Sequence, residues 1–563
     1  MSTDLGSFAK RILAVTGFAV LALGCVPAVH AAEWQWSVTV NPVTSKETNK
    51  PPRAFLWIPP TCKQVRGVVV GQHNMEEEGI LEHAAFRQAM GEIGFAEVWV
   101  SPCLDRTFDF THGAGENFEA MMKALAAESG YRELANAPVV PIGHSACASF
   151  PWNFAAWNPG RTLAAISVSG QWPLFSDREK DTEQPALGNR TFDGVPGLVT
   201  MGEYEWAENR FADGAKLRSR HPQWPLTALG EPGAGHFDFS DRKVAYIAAY
   251  IRTAAKYRLP AVSPLDGPVE MTPIDPTKQG WLFERVHMAK GPSTPAAPVG
   301  QYKGKPEDAF WIFDGELAKE TEALGAGEKG KKVQLLGYRQ KDGITPQTNG
   351  LHAQVRLKFE PIDDGLTFKL RGDFLDTVPE GRPEKWVGQP KDSVVAHGAD
   401  PEHIRISRIC GPVQQLAPDT FAIRFYRMGM DNPRRSNDIW LLAEHPGDAT
   451  YRRIIQQSQM GIPLTNKQGA DQTITFPAIP DQKTGVKTIP LQATSSLPGS
   501  KVHYYVLAGP AEVVDDDHLV ITPVPPRSRS PITVTVVAWQ WGRSINPQVK
   551  TAIPVERNFT ISK

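Results

Sequence analysis

Pro138-Val139-Val140-Pro141-Ile142-Gly143-His144-Ser145-Ala146-Cys147 is the stretch that decides how the first half of this 563-residue chain reads. The run up to Ile142 is short and apolar, as a buried strand requires. Ala146 to Trp157 is a small-residue and aromatic segment that reads as a helix. A strand, a tight turn with a central serine and a helix make a nucleophile elbow. Such a turn is sharp, so its flanking residues must be small. Gly143 meets that need before the serine; after it, Cys147 stands where a glycine is usual. The turn lifts the Ser145 hydroxyl to a helix N-terminus. There the Ala146 N–H has no helical partner and can face a developing oxyanion. Pro151 falls inside the expected helix and predicts a kink there.

Two further stretches follow in order. Val195-Pro-Gly-Leu-Val-Thr-Met-Gly202-Glu203-Tyr204-Glu205 is an apolar strand ending in a glycine and two carboxylates. Gly233-Ala234-Gly235-His236-Phe237-Asp238 is a glycine-rich loop carrying one histidine. Serine, acid and histidine in that order resemble the α/β-hydrolase superfamily. The resemblance covers Trp34 to Leu259, less than half of the chain. It implies a mostly parallel eight-stranded sheet covered by helices, and a serine hydrolase without a cofactor. Ser145 would be the nucleophile and His236 its general base, since a serine hydroxyl is weak at neutral pH without one.

The third member must be a carboxylate that holds the imidazole tautomer. Glu205 lies three residues past Gly202, the spacing that the resemblance implies. Glu203 is the rival, because a continuing strand puts both on one side. Asp238 is too near His236 in sequence to approach Nδ1 easily. The second oxyanion donor should come from Gly71-Gln72-His73-Asn74-Met75, after the Val68-Val69-Val70 strand. That loop resembles the His-Gly segment of relatives, with Asn74 or Met75 giving the N–H. His73 with His83 or His112 has no metal-ligand spacing, so no metal is expected.

Lys and Arg number 60 against 61 Asp and Glu, so nothing suggests nucleic acid or an anionic membrane as partner. No stretch in the body of the chain reads as a membrane span. Lys10-Arg11, the apolar Ile12 to Val26 and Val29-His30-Ala31 read as a secretory signal over residues 1–31, placing the protein outside the cell or in the periplasm. An uncleaved anchor, or a lipid on Cys25 after Leu23-Gly24, are the alternatives. Cys62, Cys103, Cys147 and Cys410 remain, too few to frame a chain of this length.

Strand and helix patterns alternate over residues 32–264, the expected catalytic domain. A proline-rich linker or strap spans 265–306. A β-rich module of sandwich type, opening at Phe310-Trp311-Ile312-Phe313, spans 307–466. The last stretch, 467–563, resembles bacterial immunoglobulin-like β-sandwiches. Trp152, Trp157, Trp172 and Trp206 fall near the expected active-site edge, and Trp172 and Trp206 are candidate substrate platforms. Residues 171–193 and 206–225 read as insertions that cap the pocket. Glu76-Glu77-Glu78 reads as a solvated turn entering a helix, or as a rim for hydroxyl-rich or cationic groups. The substrate expected is a small or polymeric ester, such as an acylated polysaccharide. A peptidase or amidase with the same triad, or a non-catalytic carbohydrate-binding or adhesion protein, stays open from the sequence.

Overall fold

The computed structural model describes residues 33–174, 184–205, 207–287, 290–348, 352–486 and 488–563. The expected signal, Cys25, Trp206 and part of the expected cap lie outside them. Eight strands form the first sheet: β1 (Trp36–Thr39), β2 (Arg53–Trp57), β3 (Gly67–Gln72), β4 (Phe95–Ser101), β5 (Val139–His144), β6 (Ala165–Val168), β7 (Gly197–Gly202) and β8 (Leu226–Glu231). Their order is β1-β2-β4-β3-β5-β6-β7-β8. The β1-β2 and β2-β4 pairs are antiparallel; every later pair is parallel. Strands β3 to β8 are buried along their whole length, which explains continuous apolar runs rather than alternation.

Helices cover the sheet: α1 (Glu77–Glu82), α2 (Ala84–Glu92), α3 (Ala114–Ser129), α4 (Phe150–Trp157), α5 (Ala207–Arg220) and α6 (Asp241–Arg258). Helices α1 and α2 are separate because His83 between them is extended at φ −67°, ψ 126°. Pro151 makes no kink. A short turn over Ser145–Cys147 precedes α4, so Pro151 falls in the first turn of the helix, where its missing N–H costs nothing.

The proline-rich stretch does not run free. Strands β9 (Trp281–Glu284), β10 (Ala297–Pro298) and β11 (Ala309–Ile312) form a small sheet, followed by α7 (Gly315–Ala326). Phe283, Phe310, Trp311, Ile312, Phe313 and Leu317 are buried in the same core as β6 to β8. Thr227 Oγ1 donates to the Trp311 carbonyl at 2.7 Å. Phe310–Phe313 therefore completes the first core rather than opening the next one.

The middle region holds β12 (Leu336–Gln340), β13 (Gly343–Thr345), β14 (Val355–Leu357), β15 (Thr367–Lys369), β16 (Arg371–Phe374), α8 (Arg382–Val387), β17 (Arg405–Cys410), β18 (Val413–Ala417), β19 (Thr420–Ile423), β20 (Asp438–His445) and β21 (Ile454–Gly461). These strands form several small sheets, among them β14-β21-β20-β17. In the final region, a sheet containing Ile532–Trp539 and Val555–Ser562 shares one core with a sheet containing Ala511–Val514 and His518–Ile521. Trp539 and Trp541, from the same stretch, are buried in the core of the middle region instead.

Candidate active site

Strand β5 ends at His144, and Ser145 takes φ +51°, a left-handed conformation that costs a non-glycine residue free energy. A Cβ on Gly143 would lie 2.0 Å from the Cys147 carbonyl oxygen, so only glycine lets the chain fold back this sharply. Ser145 Oγ lies 2.7 Å from His236 Nε2, and His236 Nδ1 lies 2.5 Å from Glu205 Oε1. Nδ1–H donating to the carboxylate leaves Nε2 as the acceptor of the serine proton. Glu205 and His236 are buried, while Ser145 is half-exposed. The three sequence candidates thus meet in one line.

The rivals have other partners. Glu203 accepts from the Gly233 N–H and from Arg452 Nη1, both at 2.8 Å. Residues 203–205 form a tight helical turn rather than a continuing strand, and this turns the two carboxylates apart. Asp238 is buried 3.4 Å from Arg453; burial raises its carboxyl, but Arg453 and Lys243 outweigh that and hold it down at about 2.

Ala146 is exposed at the start of the turn after Ser145, where a helical N–H has no partner within the turn. The loop after β3 behaves differently from expectation. The N–H groups of Asn74 and Met75 both donate to Glu77 Oε2, at 3.3 and 2.9 Å. Glu77 Oε1 accepts from the His144 N–H at 2.6 Å. Asn74 Nδ2 donates to the His144 carbonyl at 2.8 Å. The amides expected at the oxyanion are thus engaged by a buried carboxylate that ties the loop to the elbow.

Glu76, Glu77 and Glu78 are neither a solvated turn nor a rim; all three are buried. Lys243 Nζ lies 3.0 Å from Glu76. Glu78 accepts from Arg427 at 2.8 Å and from the Tyr426 hydroxyl at 3.2 Å, with Arg408 at 3.4 Å. Buried charges need such partners, and these stand far along the chain, where no local pattern shows them. Burial pushes Glu76 up to about 8 against Lys243, and Glu77 up to about 7 against its backbone donors. Burial also holds the His144 imidazole well below the ordinary histidine range, with His236 and Lys243 adding to it.

Trp172 is not a substrate platform. It is buried, stacks on Phe310 with centroids 5.1 Å apart, and donates to the Arg210 carbonyl at 2.8 Å. Trp152 donates to the Gln171 carbonyl, and Trp157 packs on Phe154, so both serve packing. Cys62, Cys103, Cys147 and Cys410 are free thiols.

Three residues near the triad carry no sequence signal. The His352 ring stacks on His236 at 4.0 Å and 11°. Trp386 stacks on Tyr204 at 4.4 Å, beside Glu205. Arg435 Nη2 donates to Asn74 Oδ1 at 3.2 Å. All three come from the middle region. Glu205, His236 and His352 bring ligand-type atoms within 4.8 Å of one another. Two parallel rings, however, hold their lone pairs in parallel planes, which do not converge on one ion. The other such group among the described residues, Glu284, His287 and Asp308, is engaged: Glu284 by Ser293 and Thr294, Asp308 by Arg285.

No protein-family model matches the chain, and no curated protein matches it. Solved structures similar to part of it include fluorophosphonate-binding serine hydrolase F of Staphylococcus aureus, at 14% identity and a TM-score of 0.27, covering 39% of this chain and 96% of that one. Poly(aspartic acid) hydrolase-1 of a Sphingomonas species is 14% identical, with a TM-score of 0.29, covering 39% and 99%. Dienelactone hydrolase of Anabaena variabilis is 15% identical, with a TM-score of 0.28, covering 40% and 97%.

Proposed function

We propose that this chain is a serine hydrolase that cleaves a carboxylic ester through an acyl-enzyme. The observation that carries the reading is the continuous line Ser145 Oγ, His236 Nε2, His236 Nδ1, Glu205 Oε1 at a strained elbow. Ser145 Oγ attacks the carbonyl carbon as His236 Nε2 takes its proton. Glu205 holds the imidazolium, and the Ala146 N–H faces the oxyanion. Collapse breaks the bond to the alcohol oxygen, which leaves with the proton from His236. Water, deprotonated by the same imidazole, then attacks the acyl-serine and releases the acid.

The alcohol is read as a hydroxyl of a polysaccharide. That choice rests on the expected export signal, residues 1–31, and on the β-rich regions beside the catalytic half, of which the last is read as immunoglobulin-like. The boundary at 466 belongs to the same reading. No helix among the described residues is long and apolar enough to cross a membrane.

The acid assignment tests the mechanism. Glu205→Gln should lower kcat by about 10³–10⁴-fold, because the imidazolium loses its partner. Glu203→Gln should cost only a few-fold, since that side chain braces the loop. The reverse ranking would move the acid to Glu203. A panel of aryl, short-chain and sugar acyl esters beside matched anilides identifies the substrate, with the sugar esters expected to be fastest. Faster turnover of the anilides would favour an amidase.

A further inference from the structure

The residue that lies flat on the His236 imidazole belongs to the middle region. His352 precedes β14, and its ring is nearly parallel to that of His236, with centroids 4.0 Å apart. Phe237 meets the edge of both rings, at 4.6 and 5.4 Å. His352 is half-buried, at the surface of the site rather than in a core.

Its placement is fixed by the strand that also fixes the His236 loop. Gln457 Nε2 donates to the His352 carbonyl, and Gln456 Nε2 to the Ala353 carbonyl at 2.9 Å. Strand β14 pairs in parallel with β21, Val355 opposite Ser458. The start of β21 runs against the histidine loop: the Ile455 N–H donates to the Gly233 carbonyl at 3.0 Å. Gly233 has φ +70°, and a Cβ there would lie 2.0 Å from the Arg453 carbonyl oxygen. The glycine that the sequence shows before His236 is therefore required by the close approach of a strand from the middle region. Arg453 then pairs with Asp238, two residues past His236.

We propose that His352 is a positioning residue for the serine-hydrolase reaction. Stacking fixes the plane of the His236 ring, so that Nε2 stays on Ser145 while Nδ1 stays on Glu205. It also gives the imidazolium formed during attack an aromatic face to rest on. The inference rests on the hydrolase reading and adds to it that the middle region supplies part of the active site. A histidine has two ring nitrogens to direct, and the plane of its ring turns about the Cβ–Cγ bond. A hydrogen bond to Glu205 restrains one nitrogen, and a flat contact restrains the rotation that carries the other away from the serine.

The test compares His352→Ala and His352→Phe with the wild type, using p-nitrophenyl acetate, with thermal unfolding measured alongside. His352→Ala should lower kcat about tenfold, the scale of one aromatic ring contact, while KM stays within about twofold. His352→Phe keeps a flat ring without ring nitrogens and should return kcat to within about threefold of wild type. Equal losses in both variants, a loss confined to KM, or an unchanged kcat in His352→Ala would overturn the proposal. A wild type that neither turns over the ester nor takes a fluorophosphonate at Ser145 would overturn the hydrolase reading itself, and the inference with it.

Discussion

The two β-rich regions grip opposite ends of the same parallel strands, and they do so with different chemistry. The middle region lies at the carboxyl ends, on the loops after β3, β7 and β8. Arg408 and Arg427 reach Glu78, Arg452 reaches Glu203 and Arg453 reaches Asp238. The final region lies at the amino ends. Arg527 pairs with Glu133 at 2.7 Å, the Arg529 N–H donates to the Ser129 carbonyl, and the Gly509 N–H donates to the Trp34 carbonyl. Ligands of open α/β sheets sit at the carboxyl ends of the strands. The middle region is thus built into the site, and the final region braces the fold.

The largest contrast should come from breaking one pair at each end. Arg453→Ala leaves Asp238 buried without its guanidinium and should cost about 3–5 kcal/mol of stability. Arg527→Ala removes a partly exposed partner, leaves the buried Glu133 the Val65 N–H, and should cost less, about 1–2 kcal/mol. Chemical unfolding of both variants checks the ranking; equal costs would mean that the ends are held alike.

A second pair separates catalysis from bracing. Glu77→Gln puts an amide donor against either the His144 N–H or the Asn74 and Met75 N–H groups, at about 1–3 kcal/mol. It displaces the elbow as well, so kcat should fall by about 10²-fold. Glu133 accepts from the Val65 N–H and from Arg527, far from Ser145. Glu133→Gln should therefore lower the melting temperature and leave kcat unchanged. A loss of kcat in Glu133→Gln would erase the distinction between the ends.

The smallest effect concerns pH. Burial pushes Glu33, beside Thr522 of the final region, up to about 7, and pushes Glu76 up to about 8 at the other end. A folded value above the unfolded one, about 4.3, favours the protonated native state. That contribution is complete below the unfolded value and is lost as pH rises through the folded one. Stability should therefore fall from about pH 5 to pH 8. Glu33→Gln should make the fall shallower up to about pH 7 and leave the part belonging to the other buried carboxyls, Glu76 and Glu77 among them. Urea unfolding across that range reads it, and an unchanged curve in Glu33→Gln would contradict the burial argument.

The reach of the sequence follows the reach of the interactions. The elbow, the parallel strands and the histidine loop are local patterns of apolar runs, glycine and turn, and they read correctly as such. Glu203 stays a rival to Glu205 in the sequence, because the alternation assumes a strand that a tight turn replaces. Glu76 to Glu78 mislead, because exposure is the usual state of three adjacent carboxylates, and Lys243 for Glu76, the His144 N–H for Glu77 and Arg408 and Arg427 for Glu78 stand elsewhere in the chain. Asn74 is expected to offer its amide to the oxyanion, yet Glu77, three residues on at the start of α1, takes it. Trp172 was misplaced because Phe310, its stacking partner, was assigned to another module. His352 left no trace, since one histidine ahead of a strand marks nothing until β21 carries it to His236.

The most direct test of the account is covalent labelling at the elbow. The full-length protein, treated with a fluorophosphonate and digested, should carry the adduct on Ser145 alone. It should lose p-nitrophenyl acetate turnover in proportion to labelling, and Ser145→Ala should neither label nor turn over while melting like the wild type. Adduct on another residue, or turnover that survives in Ser145→Ala, would contradict it.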